Sequence, residues 1–230
     1  MDRNIIKIDV VSDIACPWCY IGKHRLEEAI QQWKGMSVEV DWHPFILNPN
    51  IPKEGKNRTT YLLEKFGTTH RPEAMNRIHS AAESIGLTLN FGKEWLAVDT
   101  IPLHLLLYMA GQEGFKTKLK ERLFYAYFTE NLHLNQPEVL NRIMQEFGWD
   151  DAKTQAVLND ETILQKVKEE ITFYQQRGVS SVPYFIINDQ YGLSGAQPPE
   201  AFLDAFSQVL QLSLGSNESE HCGIDGDCPA

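Results

Sequence analysis

The sequence predicts an α/β fold: one small sheet built from both ends of the chain, with a large all-helical block inserted between them. Three observations predict it. Residues 5–46 read as strand, helix, strand; nearly every segment from about Thr59 to Gln176 has helical period; and strand character returns at residues 184–188. Neither end supplies more than two strands, and a sheet of about two strands is marginal by itself. The economical solution is one four-stranded sheet. It implies a sheet domain of residues 1–55 plus 178–214, a helical insertion domain of residues 56–177 and a mobile polar tail of residues 215–230.

Each element has a local reason. IIKIDVVS partly alternates and is rich in Ile and Val, as a buried strand is. In the helix that follows, Leu26, Ile30 and Trp33 fall on one face and Gly35 marks a stop. The next strand alternates Val38, Val40 and Trp42 against Glu39 and Asp41, and Pro44 ends it. In the insertion, Pro72, Pro102 and Pro137 suit helix starts. Apolar faces run through Met75, Ile78, Ala82 and Ile85, then Leu119, Leu123 and Tyr127, then Leu140, Ile143 and Phe147. Ile163 or Leu164, Val167, Ile171 and Tyr174 line the last helix, stopped by Gly178, so five to seven helices are expected. PYFIIN, the turn NDQYG and the strand YGLSG form a hairpin, and Pro198-Pro199 opens a final helix with Leu203, Phe206 and Leu210 on one face.

Composition narrows the function. The 230 residues carry 21 basic and 31 acidic side chains, a net charge of −10. Binding driven by counterion release from nucleic acid wants the opposite balance, and so does an anionic membrane surface. Neither is expected as a partner. No run approaches the ~18 apolar residues of a membrane span. The first residues, MDRNIIKIDVVSDIA, lack an apolar core followed by a small-residue cleavage site, so the expected location is the cytosol.

Four cysteines fall in two pairs, Cys16 with Cys19 and Cys222 with Cys228. A redox dithiol needs two sulfurs close enough to bond and one that ionises readily. Cys-x-x-Cys on the first turn of a helix meets both needs, because the unpaired N–H groups and the dipole of the helix start stabilise a thiolate there. Pro17 lacks an N–H and suits that turn. Cys16 is therefore the candidate nucleophile and Cys19, one turn on and more buried, the candidate resolving thiol. Zinc also uses paired cysteines. A zinc-binding module would have to draw on Cys222 and Cys228, whose spacing is loose. The strand-then-helix context of the first pair favours redox chemistry, and no metal site is expected.

SDIACPWCYIGK, from Ser12 to Lys23, together with PFILNP, GVSSVPYFIIN and SGAQP in that order, resembles the DsbA-like branch of the thioredoxin superfamily. It looks most like the FrnE subgroup of dithiol-disulfide oxidoreductases and isomerases. The resemblance runs from Ile5 to about Leu212 and implies a thioredoxin fold carrying a helical insertion. It implies catalysis by Cys16 and Cys19, with Pro17 and Trp18 shaping the site. It further implies a cis peptide bond at Val182-Pro183, exposing the Val182 backbone to an extended substrate; the residues alone would allow a trans proline opening a strand. Ser181 stands where the family often has glycine. The implied substrates are disulfide-bearing proteins or small thiols, with no tightly bound cofactor and with glutathione as a candidate redox partner. The chain is also similar to 2-hydroxychromene-2-carboxylate isomerases and kappa-class glutathione transferases, which share the fold but typically place serine where Cys16 stands. A glutathione-dependent isomerase is thus the other enzymatic reading. Cys222 and Cys228 resemble the second cysteine pair some FrnE-like proteins carry; they read equally as an auxiliary dithiol or as incidental tail thiols.

Four further sets of residues stand out. Asp13 precedes the motif and reads either as a group tuning the cysteines or as an exposed turn aspartate. His24 and His43 read as surface or half-buried histidines rather than bases. Phe124, Tyr125, Tyr127 and Phe128 read as bundle core. Trp18 either faces substrate or packs. Oligomeric state has no signal in the sequence.

Overall fold

The computed structural model describes residues 5–92 and 94–218. The chain runs β1 (Ile5–Ser12), α1 (Pro17–Gln32), β2 (Ser37–Pro44), β3 (Lys56–Asn57), α2 (Arg58–Phe66), α3 (Pro72–Glu83), β4 (Leu96–Ala97), α4 (Ile101–Gln112) and α5 (Lys116–Phe128). It continues through α6 (Pro137–Gln145), α7 (Asp151–Leu158), α8 (Glu161–Gln176), β5 (Tyr184–Ile187), β6 (Tyr191–Ser194) and α9 (Pro199–Glu218).

Both chain ends build one sheet, in the order β2-β1-β5-β6. β1 pairs in parallel with β2, with Val10 opposite Trp42, and antiparallel with β5, with Val10 opposite Phe185. α1 makes the crossover that a parallel pair requires. Ile6, Ile8 and Val10 alternate onto one face of β1, where Leu26 and Ala29 of α1 and Phe202, Phe206 and Val209 of α9 cover them. Val11 and Ile186 face the other way and are closed by Tyr174 of α8 and by Val179. Each such fully buried side chain contributes about 1.5–3 kcal/mol.

Helices α2–α8 form the insertion, with a separate core around Leu103, Leu106, Leu119, Leu123 and Phe124. Cys16, Cys19, Tyr20 and Ile21 belong to that core, whereas Leu26 and Ala29 belong to the sheet core. The helix that carries the cysteines is therefore clamped at one end by the insertion and at the other by the sheet.

Several elements differ from the sequence reading. A short ribbon, β3 with β4, joins the helices of the insertion, with Lys56 opposite Ala97. Two residues per strand are too few for periodicity to register. Asn57 also caps α2, its side chain accepting from Thr60 N at 2.9 Å. α1 ends at Gln32, so Trp33 and Gly35 lie beyond it, with the Trp33 indole donating to Met36 O at 2.9 Å. On α9 the buried stripe is Phe202, Ala205, Phe206 and Val209, with Leu203 and Leu210 half-buried at its margin. α9 runs to Glu218, four residues into the stretch expected as a tail. Among the described residues no helix is long and apolar enough to cross a membrane.

Candidate active site

The corner between β1 and α1 is built by Asp13. Its carboxylate accepts from Ala15 N at 3.2 Å through Oδ1 and from Leu47 N at 2.6 Å through Oδ2. Its own carbonyl accepts from Cys16 N at 3.1 Å. The first bond is the two-residue side-chain turn that aspartate favours. The second ties the loop after β2 to the motif. Asp13 is fully buried, with His104 Nε2 at 3.6 Å from Oδ1. Burial pushes its carboxyl up, but the hydrogen bonds and charge at His104 and the Leu47 amide outweigh it, and the group is held below the usual carboxylate range. The expectation of an exposed turn aspartate is thereby corrected: the corner needs a buried acceptor for two backbone amides.

Cys16 is the N-cap residue of α1, with extended backbone (φ −102°, ψ 110°), and its side chain makes no capping bond. Its carbonyl accepts from Cys19 N at 3.0 Å and Tyr20 N at 3.4 Å, which fixes the first turn. The Cys16 sulfur therefore sits at the positive end of the helix. Cys19 lies one turn in, only 1% exposed against 4% for Cys16. Burial, and then Cys16, push the Cys19 thiol well above its ordinary value.

The loop before β5 faces this turn. Val182-Pro183 is cis, and Val182 O lies 3.6 Å from Cys16 Sγ. SGAQP holds that loop. Gly195 N donates to Pro183 O at 2.8 Å, with Gly195 in the left-handed region (φ +80°) that a side chain rarely adopts. Arg25 of α1 donates to Ala196 O at 2.7 Å. Gly22 permits the approach: a Cβ there would stand 3.1 Å from Pro183 Cγ and 3.2 Å from Phe185 Cζ. The motifs quoted from three distant parts of the sequence thus meet around one sulfur.

Lys120 of α5 is 1% exposed and close enough to Cys19 and Asp13 for their charges to act on it. Its ammonium is 5.2 Å from the Trp42 ring and 5.7 Å from the Phe124 ring. Burial pushes it down to about 8, against the pull of Cys19 and Asp13. Above Cys16 opens a cleft of about 480 Å³, floored by Cys16, Pro17 and Trp18 and walled by α2, α3, Trp95 and Val182. That volume is in the range of small-molecule sites.

Other candidates fall elsewhere. His43 is buried in an ion network, corrected from a surface or half-buried position. Its Nε2 is 2.7 Å from Asp9 and its Nδ1 2.5 Å from Glu170 of α8, a partner that alternation along β2 cannot reveal. His24 is half-buried on α1, 3.3 Å from Glu121. Tyr125 is 45% exposed, so only Phe124, Tyr127 and Phe128 of that aromatic run are core. Cys222 and Cys228 lie outside the described residues. The His24, Glu27 and Glu121 donor atoms gather within 4.8 Å. Lys23 fills that space, its ammonium 2.7 Å from Glu27 and 2.6 Å from Glu121. Sequence reasoning missed Lys120, His104 and Gly22. No local signal marks them: Lys120 is one of four basic residues on α5, and only the fold buries it.

A mixed sheet with a strand-to-helix Cys-x-x-Cys and a helical insertion is the DsbA-like variant of the thioredoxin fold. The chain belongs to the DSBA-like thioredoxin domain family, which it matches over residues 7–207. It is 28% identical over 204 residues to the uncharacterized protein YwbO of Bacillus subtilis, covering 88% of this chain and 96% of that one. A crystal structure of a probable DsbA oxidoreductase from Streptomyces coelicolor superposes with a TM-score of 0.80 at 30% identity, covering 98% of this chain and all of the other. The cytosolic disulfide reductase DsbM from Pseudomonas aeruginosa, solved with GSH, shares the fold with a TM-score of 0.62 at 18% identity, over 88% and 99% of the two chains.

Proposed function

We propose that this chain is a dithiol-disulfide oxidoreductase or isomerase of the FrnE type. The observation that carries the reading is the placement of Cys16: an N-cap sulfur on α1, beside buried Cys19 and 3.6 Å from Val182 O. The Cys16 thiolate attacks one sulfur of a substrate disulfide and expels the other as thiolate. Cys19 then loses its proton and attacks Cys16 Sγ. The second substrate thiolate leaves, the substrate is reduced by two electrons, and a Cys16–Cys19 disulfide remains. Pro17, Trp18, Val182 and Pro183 frame the sulfur. In the reducing cytosol expected for this chain, the pair rests as the dithiol and works as reductase or isomerase. Glutathione is the small-thiol partner we infer, a role consistent with DsbM, the fold relative solved with GSH.

Cys16→Ser is expected to abolish disulfide reduction. Cys19→Ser is expected to accumulate mixed disulfides at Cys16, visible by intact mass under non-reducing conditions. Full activity of Cys16→Ser overturns the assignment of the nucleophile. A Cys19→Ser chain that turns over without mixed disulfide overturns the resolving role.

A further inference from the structure

The protein is strongly acidic, with a net charge of −10. Yet the cleft over Cys16 is ringed by cations. Arg58 and Lys65 of α2, Arg71 in the following loop and Arg77 of α3 all line it, and among the described lining residues there is no aspartate or glutamate. These cations are also unspent. Elsewhere Lys23, Lys56, Lys116, Arg122 and Lys153 are spent in ion pairs, while unpaired cations such as Lys7, Lys34 and Arg142 are scattered rather than gathered round a cleft. Arg58, Lys65, Arg71 and Arg77 form no ion pair among the described residues. Lys65 donates to the neutral Asn48 side chain. Arg71 Cζ lies over the Phe66 ring, 3.6 Å from its centroid, a contact that leaves the guanidinium charge unneutralised. The one nearby acid on α2, Glu64, is bound to Lys56.

Between the cations the walls are apolar, formed by Trp18, Leu47, Tyr61, Leu62, Met75 and Phe91. Cys16 lies at the floor with 4% of its surface exposed. A disulfide set in the flat face of a folded protein cannot reach it there, whereas a cleft of about 480 Å³ accommodates a compact organic molecule. Resting on the dithiol-exchange reading above, we propose that the cleft selects low-molecular-weight disulfides that carry carboxylates on an apolar, preferably aromatic, body. The apolar body lies against Trp18, Tyr61 and Phe91, and the carboxylates meet the cation rim. Cys16 thiolate attacks the near sulfur and the far half leaves as a carboxylate-bearing thiolate. Cys19 thiolate then displaces the near half, so that one disulfide is reduced and one Cys16–Cys19 disulfide is formed. A cleft of one charge sign raises encounter rates by 10- to 10³-fold, in a salt-dependent way.

The test uses the full chain in its dithiol form, with Cys222→Ser and Cys228→Ser to silence the other thiols. Thiolate release is followed by stopped flow with dithiobis(nitrobenzoate), which is aromatic and dianionic; dithiodipyridine, aromatic and neutral; cystamine, dicationic; oxidised glutathione, anionic without an apolar body; and a disulfide-linked acidic peptide. Each rate is divided by that of a small free thiol with the same disulfide. The expected result is a preference of about tenfold or more for dithiobis(nitrobenzoate) over every other probe at low salt. It should collapse toward unity at roughly 1 M salt, where the Debye length falls to about 3 Å. Arg58→Gln with Arg77→Gln should lower the ratio of dianionic to neutral rates severalfold. Equal normalised rates, or a preference indifferent to salt, overturn the proposal. Oxidised glutathione matching the aromatic dianion overturns the apolar requirement, and the acidic peptide reacting fastest overturns the small-molecule commitment. These failures leave dithiol exchange standing. Release of no thiolate from any probe instead removes the underlying reading.

Discussion

Replacing Lys120 by methionine tests how the protein uses a charge that its fold has reason to exclude. The lysine is 1% exposed, and burial brings its ammonium from 10.5 to about 8. At about 1.4 kcal/mol per pH unit, holding that charge costs the fold about 3 kcal/mol. Contacts with Trp42 at 5.2 Å and Phe124 at 5.7 Å return about 1 kcal/mol of this. Methionine keeps the volume and loses the charge, so Lys120→Met should be more stable at pH 7 by about 2 kcal/mol. The folded value lies below the unfolded one, so the cost is fully present below pH about 8. It disappears as pH rises toward the unfolded lysine value of about 10.4. The wild-type protein should therefore gain stability between pH 8 and 10 relative to the variant. Urea midpoints of both dithiol proteins at pH 7 and pH 9.5 measure it. The functional counterpart is proton transfer: the Cys19 thiol, pushed well up by burial, must lose its proton to resolve a mixed disulfide. Above pH about 8 Lys120 is neutral in most molecules and is then a buried base able to accept it, so the kinetic comparison is made at pH 9. In single turnover, release of the second substrate thiolate should slow by about 10²-fold in the variant, with the first release little affected. A variant that is destabilised at pH 7, keeps the wild-type pH profile and resolves at the wild-type rate would refute this reasoning.

Two further outcomes follow from the packing. His43 is buried, which pushes its imidazole down, but hydrogen bonds to Asp9 and Glu170 outweigh this and hold it above its ordinary value. Its contribution is fully present below about pH 6.5 and is lost as pH rises through the higher folded value. His43→Asn should flatten the fall in urea midpoint between pH 6 and 8; an unchanged profile would remove the network from the account. Gly22→Val places atoms about 3 Å from Pro183 and Phe185, and should cost about 1–3 kcal/mol by thermal unfolding while slowing disulfide exchange. Wild-type stability and rate in that variant would mean the helix and the Pro183 loop are not tightly apposed.

What the sequence made legible is what depends on neighbours along the chain. The alternation of Ile6, Ile8 and Val10, the proline starts at Pro72, Pro102 and Pro137, and the Cys-x-x-Cys on a helix start all follow from local geometry. The closure of one sheet from both ends followed from counting strands. The parts that were not legible are long-range. Nothing near Lys120 in the sequence announces that it lies close to Cys19, about a hundred residues earlier. His43 reads as the end of a strand until α8 brings Glu170 to its ring. The cation rim is scattered over Arg58, Lys65, Arg71 and Arg77, and becomes one feature only when α2 and α3 fold over Cys16. Gly22 looks like a helix defect until Pro183 is seen against it.

The central claim is that Cys16 and Cys19 form one reversible redox pair. The most direct measurement equilibrates the protein in glutathione buffers of graded potential, quenches by alkylation and maps every cysteine by mass. The account predicts a Cys16–Cys19 disulfide that forms and reopens as a single two-electron transition. A midpoint near −200 mV or above would mark an oxidising pair suited to disulfide transfer or isomerisation, and one near or below about −270 mV a reductant. A pair that stays fully alkylated at every potential would contradict the account.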